Sequence, residues 1–276
     1  MTDHAGKARR FLDLHHGQEP LLLPNPWDPG SARLLAWLGF QALATTSSGH
    51  AATLGRLDGA VTRSEALEHA AAIVAATELP VSADLESGFA DDPAGVAQTV
   101  RLALEAGLAG CSVEDATGDQ DHPIYDPGLA AERVRAAAEA AHRGPVRLVL
   151  TARAENYLYG RPDLADTITR LQAYQDAGAD VLYAPGVSDL AEIRQLVASV
   201  DRPVNVLARP GVPPVPELAA AGVARVSVGG AFAFAALGTL VEAATELRDA
   251  GTYGFWGHAG VGSDAARSAF GGPQQR

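Results

Sequence analysis

The sequence predicts a (β/α)8 TIM barrel, a ring of parallel strands in which a helix follows each strand. The first observation is that short apolar runs typical of buried strands alternate with alanine-rich helical stretches throughout the 276 residues. The second is that several helical stretches end on Ala-Gly just before the next apolar run, and glycine is the usual stop at a helix C-terminus. The third is that acidic residues follow two consecutive strands, where such barrels carry their chemistry.

Eight strands are predicted, which is the number that closes this type of barrel. They cover residues 21–23, 42–46, 81–84, 110–114, 148–153, 181–184, 204–207 and 225–228. The helices between them cover residues 63–77, 92–106, 127–142, 164–177, 189–199 and 216–221, and Gly107, Gly178 and Gly222 provide the stops. We also expect an N-terminal helix. Residues 1–276 then form one domain, with a polar tail over 259–276 that is mobile unless a partner chain holds it.

Composition excludes several classes of partner. The formal net charge of -12 disfavours binding to nucleic acid or to an anionic membrane. The single cysteine, Cys111, rules out an intramolecular disulfide framework and is predicted to be a buried strand residue. The N-terminal residues contain no apolar signal-peptide core, so we expect a cytoplasmic enzyme of small molecules.

Four acidic residues lie where strands three and four run out. Asp84 and Glu86 are two positions apart in extended chain and therefore point to the same side, and Glu114-Asp115 ends the next strand. Carboxylates without an accompanying Cys/His cluster suit a hard divalent cation, and Mg²⁺ is favoured, with Mn²⁺ as a substitute. A lone acidic residue at a strand end is more often a helix cap or a surface charge, and Asp115 is interpreted as structural.

Several ordered motifs resemble the isocitrate lyase/phosphoenolpyruvate mutase superfamily, over about nine tenths of the chain. The motifs are Asn25-Pro26-Trp27-Asp28, Ser31-Ala32-Arg33, Gly39-Phe40, Ala44-Thr45-Thr46-Ser47-Ser48-Gly49, Leu54-Gly55-Arg56-Leu57-Asp58, Asp84-Leu85-Glu86-Ser87-Gly88-Phe89, Val113-Glu114-Asp115 and Thr151-Ala152-Arg153.

The resemblance implies roles for individual residues. Asp84 corresponds to the carboxylate that binds magnesium directly, and Asp58, Glu86 and Glu114 correspond to the acidic residues around the water shell of the ion. Arg153 corresponds to the arginine that clamps the substrate carboxylate, and with Asp58 it is an expected catalytic residue. The substrate is expected to contact Trp27, Thr46, Ser47, Ser48, Asp84 and Arg153. Asn205 is a further expected substrate contact because of its place on strand seven, not because of the resemblance.

The chain departs from the family in the segment that follows Glu114-Asp115, which we call the lid segment, residues 116–125. The lyases carry a Lys-Lys/Arg-Cys-Gly-His motif there, and the mutases carry lysine, asparagine and serine. This chain has neither set. His122 is the remaining candidate for a general acid, although an exposed loop histidine is more often only solvated. Ala184-Pro185-Gly186 also replaces a Glu or His that is expected after strand six.

What remains is the part that would hold a 2-oxo acid against magnesium. Polarisation of the ketone lets a neighbouring C–C bond break to an enolate, and oxaloacetate-type decarboxylation needs little more than this. We therefore predict a magnesium-dependent C–C lyase or decarboxylase of small 2-oxo acids or dicarboxylates. The alternatives are a phosphonopyruvate-type C–P hydrolase and a non-catalytic 2-oxodicarboxylate-binding protein.

Three positions are left open by the sequence. Asn205 points to the pocket or to the helical layer according to its parity on strand seven. His50 lines the pocket or only packs beside it. Arg153 could also be an ion-pair partner for Glu155.

Residues 231–241 are apolar around most of a helix, which exceeds what a helix with one face in water requires. In the similar proteins the last barrel helix packs on, or is exchanged with, a neighbouring subunit. We therefore expect a homo-oligomer, a dimer of dimers.

Overall fold

The structure, a computed structural model, describes residues 4–271 and contains an eight-stranded parallel barrel. The strands are β1 (Leu21–Leu23), β2 (Leu43–Ala44), β3 (Val81–Asp84), β4 (Gly110–Glu114), β5 (Val149–Arg153), β6 (Val181–Tyr183), β7 (Val204–Leu207) and β8 (Arg225–Ser227). Their order is β1-β8-β7-β6-β5-β4-β3-β2. The backbone N–H of Ala44 donates to the carbonyl of Pro24 at 3.1 Å, which joins the two ends of the sheet. The predicted fold class is confirmed.

Eleven helices accompany the strands in the described part of the chain. They are α1 (His4–Leu14), α2 (Pro29–Trp37), α3 (Ser47–Thr53), α4 (Arg63–Ala76), α5 (Pro93–Glu105), α6 (Pro127–His142), α7 (Leu164–Asp176), α8 (Leu190–Ala198), α9 (Val215–Ala220), α10 (Ala231–Asp249) and α11 (Trp256–Phe270). Each predicted strand and helix is present within one or two residues of its predicted ends, except that β2 is shorter. None of the helices in residues 4–271 is long and apolar enough to cross a membrane.

The predicted N-terminal helix, α1, covers the end of the barrel where the strands begin. Phe11 is fully buried and lies in a small apolar cluster with Leu21 and Val149. Gly110 is required here, because a Cβ atom at this position would lie 2.7 Å from the Phe11 ring and from the Val149 carbonyl. The main core lies between the strands and the helices around them. The barrel is therefore sealed at this end, and ligands must enter at the other.

The last two helices are mostly exposed. Ala233 is the only residue of α10 that is buried, and α11 has none. Residues 259–270, predicted as the start of a mobile tail, form the body of α11, which packs on α2. Residues 272–276, the rest of that predicted tail, lie outside the described residues.

Candidate active site

The carboxyl ends of β3, β4 and β5 bring three carboxylates around one guanidinium. Arg153 pairs with Asp84 at 3.0 Å, with Glu114 at 3.0 Å and with Glu155 at 2.8 Å. The strand register explains this, because Glu114 lies opposite Arg153 and Asp84 lies opposite Ser112 on the adjacent strand. These side chains alternate inward along their strands and meet at one end of the barrel. The guanidinium has five N–H groups, and three of them donate to these carboxylates. One N–H group on Nη1 and one on Nη2 therefore remain without a carboxylate partner.

Asp84 is held by donors from its surroundings. The Ser112 hydroxyl lies 3.4 Å from Oδ1, and the backbone N–H of Glu86 donates to the same oxygen at 3.3 Å. The backbone N–H of Ser47 approaches Oδ2 at 3.4 Å, at the first turn of α3. This carboxylate is therefore fixed in place by groups from three separate segments.

The loop after β3 has an uncommon backbone conformation. Glu86 and Phe89 have positive φ angles of 48° and 54°, which non-glycine residues rarely adopt. Arg133, from α6, donates to the carbonyl oxygens of Ser87 and Ala90 and so fixes the loop from behind. Strained residues of this kind persist where the surroundings over-determine them, and this loop presents Glu86 to the site.

The predicted serine and threonine loop after β2 is a helix start. Thr46 caps α3, and its hydroxyl accepts from the backbone N–H of Gly49 at 3.3 Å. Ser48 lies 3.2 Å from the same hydroxyl. Gly49 has no room for a side chain, because a Cβ atom would lie 2.5 Å from Thr46 and 3.2 Å from Trp27. The hydroxyls of the loop are therefore held close to Asp84.

Negative charge exceeds positive charge in this cluster. Loss of water on burial, followed by the charges of Asp84 and Asp58, raises the pKa of Glu86 to about 7. Burial also raises the pKa of Glu114 well above its ordinary range, against the opposing effect of Arg153. Burial alone would lower the pKa of Arg153, but Glu114, Glu155 and Asp84 outweigh it, and the pKa is raised. The site lacks the positive charge that would balance these carboxylates.

A magnesium ion makes specific demands on the oxygen donors of this site. No group of three or more His, Cys, Asp or Glu side chains within residues 4–271 is arranged to coordinate one ion directly. Magnesium, however, keeps several waters and needs few protein ligands. Asp84 can supply one oxygen, while Asp58, Glu86 and Glu114 border the adjoining space as acceptors for bound water. A cation would also favour the ionised forms of Glu86 and Glu114. The residues present therefore fit this ion.

A cavity of about 210 Å³ extends from this cluster into the barrel. Pockets for drug-sized ligands measure about 300–1,000 Å³, so this volume suits a small metabolite. Its lining includes predicted residues Thr46, Ser47, Ser48, Asp58, Asp84 and Arg153, together with Asn25, Ser82, Ser112, Leu158, Tyr183, Pro185, Arg225 and Ser227. A second space of about 290 Å³ adjoins it and adds Glu86, Glu114, Glu155 and Tyr159.

Three candidate residues lie outside the cavity lining. Trp27 is half-buried beside Gly49, and its carbonyl accepts from His69 at 2.9 Å. Asn205 points inward but does not line the cavity, and it is hydrogen-bonded to Ser227 and Arg225 at 2.9 Å each. His50 stacks on His69 with ring centres 3.8 Å apart. The structure therefore gives Asn205 a supporting position and leaves Trp27 and His50 behind the α3 loop.

The lid segment is a short hairpin closed by an antiparallel bridge between Ala116 and Ile124. His122 lies at its tip with its side chain 86% exposed, and its nearest ionic partner is Asp119 at 3.6 Å. It does not line either space described above. This arrangement matches the interpretation of a solvated loop histidine.

Sequence reasoning missed several residues that line these two spaces, among them Tyr183, Glu155 and Arg225. Tyr183 lies opposite Arg153 in the register, and Arg153 lies 5.2 Å from the centre of its ring. Glu155, considered as an ion-pair partner for Arg153, is a third carboxylate of the cluster. Arg225 begins β8 and points inward with Ser227. A charged residue at the start of an apolar strand was the available signal for Arg225.

A parallel barrel with a carboxylate cluster and a clamped arginine at the strand ends defines an enzyme of the α/β-barrel type. The family model of phosphoenolpyruvate phosphomutase matches residues 11–248. The chain therefore belongs to the phosphoenolpyruvate mutase family, within the isocitrate lyase/phosphoenolpyruvate mutase superfamily, which confirms the resemblance seen in the motifs. It is an enzyme of the carbon–carbon lyase and carboxy-lyase type found in that superfamily.

Similar proteins match along most of the chain. A crystal structure from Burkholderia cenocepacia J2315, provisionally described as a lyase/mutase, is 53% identical with a TM-score of 0.94 and covers 98% of this chain and 97% of its own. An uncharacterized protein of Mycobacterium tuberculosis is 36% identical over 87% of this chain and 89% of its own length. Oxaloacetate decarboxylase of Chromohalobacter salexigens is 31% identical over 87% of this chain and 84% of its own length.

Proposed function

We propose that this chain is a magnesium-dependent enzyme that cleaves a carbon–carbon bond of a small 2-oxo acid, with oxaloacetate-type decarboxylation as the favoured reaction. The observation that carries the proposal is that Arg153 holds Asp84 and Glu114 together at the mouth of the cavity. Magnesium bound there would supply electrophilic polarisation of a 2-oxo group. The similarity to oxaloacetate decarboxylase of Chromohalobacter salexigens supports this choice of reaction.

The residues of the chain would bind and orient the substrate. The two N–H groups of Arg153 that no carboxylate uses would donate to a carboxylate of the substrate, which is a partner that guanidinium groups favour. The hydroxyls of Thr46 and Ser48 also line the cavity and offer further donors. Leu158 and Tyr183 add apolar surface to the cavity wall. Binding and orientation of this kind are the main demands of the reaction.

The lid segment favours decarboxylation over a retro-aldol cleavage. Carbon dioxide leaves without protonation, and the enolate that remains can take a proton from water. A retro-aldol lyase needs a base and an acid at the reacting atoms. The histidine of the lid, His122, is exposed and does not line the cavity. The family cysteine is absent from the lid sequence.

The test is a panel of 2-oxo acids, malate-type hydroxy acids and phosphonopyruvate, assayed with Mg²⁺. We expect pyruvate and carbon dioxide from oxaloacetate well above the rate with Mg²⁺ alone. The Asp84→Ala variant serves as the inactive control, and Asp166→Ala, a surface change on α7, as the active one. Thermal stabilisation by oxaloacetate without turnover would instead identify a binding protein and overturn the proposal.

We also propose that the enzyme is a homo-oligomer, on the support of the exposed face of α10. Phe234, Leu240 and Val241 are 51%, 63% and 64% exposed. Leu22, which points outward from β1, is 42% exposed, although a TIM barrel normally covers that face with the helix that follows β8. A second copy that packs against α10 would bury such groups. Sedimentation should give a multiple of the 28.5 kDa chain mass, and Leu240→Asp should lower it. A single-chain mass at micromolar concentration overturns this.

We place the enzyme in the cytoplasm, where the buried free thiol of Cys111 would stay reduced.

A further inference from the structure

The interior of this barrel is unusually polar. TIM barrels normally fill it with branched apolar side chains. Here Ser82, Thr151, Asn205 and Ser227 are all buried and point into the barrel. Arg225 lies beside Asn205 on the adjacent strand and is only 4% exposed. A buried guanidinium in the middle of a barrel requires an explanation.

The hydrogen bonds of Arg225 all go to uncharged acceptors. Its Nε donates to the side-chain oxygen of Asn205 at 2.9 Å, and its Nη1 donates to the Thr151 hydroxyl at 3.1 Å. Nη1 also lies 3.2 Å from Nε2 of His15, which can accept because Nδ1 of that ring faces the Phe11 carbonyl at 2.7 Å. Over residues 4–271, no carboxylate lies within ion-pair distance of Arg225 and its Nη2 forms no hydrogen bond.

Arg225 differs from Arg153 and Arg170, which both pair with carboxylates. Arg153 has three carboxylate partners, and Arg170 has two. Arg133 is also buried without a carboxylate partner, but it donates to the carbonyl oxygens of Glu114, Ser87 and Ala90 and does not line the cavity of about 210 Å³. A buried charge without a partner is costly, and an apolar side chain would fill the same space at less expense to stability. Burial lowers the pKa of Arg225 to about 10, and the charge of Arg153 adds to that effect. The group is still cationic at neutral pH.

Arg225 is accessible to a ligand from the active site. It lines the same cavity of about 210 Å³ as Arg153 and Asp84, with Ser112 and Ser227 also in the wall. Because α1 seals the barrel below, Arg225 marks the inner end of this cavity. A ligand that enters at the carboxylate cluster therefore meets a second cation at its far end.

We propose that Arg225 binds a second anionic group of the substrate, a terminal carboxylate, and so makes the cavity selective for 2-oxo dicarboxylates over 2-oxo monocarboxylates. The identity of the 2-oxo head group rests on the proposed function. The terminal carboxylate of the substrate would be the counter-ion of Arg225. It would accept hydrogen bonds from Nη2 and from the hydroxyls of Ser112 and Ser227. It takes no part in bond cleavage.

The test uses two ligands that differ only at the far end. L-Malate and L-2-hydroxybutyrate share a four-carbon 2-hydroxy acid skeleton, and one ends in a carboxylate where the other ends in a methyl group. Their affinities for the magnesium-loaded protein are measured by isothermal titration. The variants are Arg225→Gln, which removes the charge, and Arg225→Lys, which keeps it. Arg143→Gln makes the same charge change on the exposed end of α6 and serves as the control.

We expect the wild type and Arg143→Gln to prefer malate by about thirtyfold or more, as for a buried charge pair. Arg225→Gln should weaken malate binding and leave 2-hydroxybutyrate unchanged, so that the preference nearly disappears. Arg225→Lys should retain part of it. The melting temperature of Arg225→Gln should be equal to or higher than that of the wild type, because an unpaired buried charge is removed.

The inference is overturned if the wild type shows no preference for malate, if Arg225→Gln keeps it, or if neither ligand binds. A lower melting temperature with unchanged selectivity would show a purely structural role. The ligand preference is independent of turnover. If malate selectivity depends on Arg225 but no decarboxylation is found, only the proposed function is wrong. If decarboxylation is found without this selectivity, only the inference about Arg225 is wrong.

Discussion

Two clusters of buried arginine and carboxylate groups lie on opposite sides of β4, and they differ in charge balance. Glu114 points into the barrel and joins Asp84 and Glu155 around Arg153. Asp115, the next residue, points to the helical layer. It accepts from Arg170 at 3.1 Å, from the Tyr174 hydroxyl at 2.6 Å and from the backbone N–H of Glu155 at 2.8 Å.

The difference shows how a functional site can be told from a structural one. The Asp115 cluster is sealed, with Asp115 only 2% exposed, and its one buried carboxylate faces the guanidinium of Arg170. The Arg153 cluster borders a cavity and carries more carboxylates than cations. A buried ion pair sealed from solvent supports the fold, whereas an excess of one charge sign beside a cavity is typical of a binding site. The interpretation of Asp115 as structural agrees with this geometry.

The largest effect expected is on activity, from the unbalanced cluster. Asp84→Ala should lower turnover by about a thousandfold or more, about 4 kcal/mol in barrier, because the proposed metal contact is lost. The melting temperature should change little, since the variant relieves repulsion between neighbouring carboxylates. Turnover assays and calorimetry on the same sample measure both. Activity near that of the wild type would contradict the assignment.

The balanced cluster should respond in the opposite way. Asp115→Ala leaves Arg170 and Tyr174 without a buried partner and should cost about 3–5 kcal/mol in the free energy of unfolding. Urea denaturation measures this loss. The control is Asp166→Ala, which removes the exposed partner of the same arginine and should cost less than about 1 kcal/mol. Equal costs for the two variants would remove the distinction between them.

Replacement of the clamp should have an intermediate effect. Arg153→Lys keeps the charge but loses the planar fork, and we expect a loss of about 2–4 kcal/mol in transition-state binding. The value of kcat/KM for oxaloacetate gives this number directly. Arg143→Lys, an exposed arginine changed in the same way, is the matched control. If the Arg153 variant behaves like that control, the clamp role is wrong.

His15, which contacts Arg225 inside the barrel, should make the free energy of unfolding depend on pH. Burial, followed by the charge of Arg225, lowers the pKa of His15 to about 3, below its ordinary value of 6.5. His15 is therefore protonated in the unfolded chain below about pH 6.5 but stays neutral in the folded chain. The free energy of unfolding falls as the pH falls below that value. Between pH 7.5 and pH 5 this residue should account for a loss of about 2 kcal/mol.

The same urea series on His15→Gln isolates that contribution. The variant should show a smaller loss between the two pH values than the wild type, by about the same 2 kcal/mol. Parallel curves for the two proteins would mean that His15 is not held neutral.

The smallest effect is expected in the lid segment. His122→Ala should lower turnover by less than about tenfold, about 1.4 kcal/mol, because its side chain is 86% exposed. Loss of a true general acid typically costs about a hundredfold or more. Should turnover nearly vanish while Mg²⁺ and substrate affinity persist, His122 is the proton donor and the reaction is a lyase of another kind.

The fold could be predicted from sequence because apolar runs and glycine stops are local signals. Such signals identified all eight strands, and strand-end position then placed Asp84, Glu86, Glu114 and Arg153 at one end of the barrel. The α3 helix was missed, because Thr46-Ser47-Ser48-Gly49 resembles a polar loop until its capping contacts are known. Helix α11 was missed because its glycine and serine content disfavours a helix by propensity alone.

The remaining features depend on contacts between distant parts of the chain. Arg225 meets His15 from the other end of the sequence, and nothing local to either residue indicates that encounter. The inward position of Asn205 was left open by parity, and only the strand register settles that it supports Arg225. Charge balance in a cluster is likewise a three-dimensional property that no motif displays.

The most direct test of the central claim is a magnesium titration by calorimetry with pyruvate present, on the wild type, Asp84→Ala and Asp166→Ala. If the excess carboxylates of the Arg153 cluster form a metal site, the wild type and Asp166→Ala will bind about one Mg²⁺ per chain. Asp84→Ala will bind it much more weakly. Unchanged magnesium affinity in Asp84→Ala, or no binding by the wild type, would contradict the account.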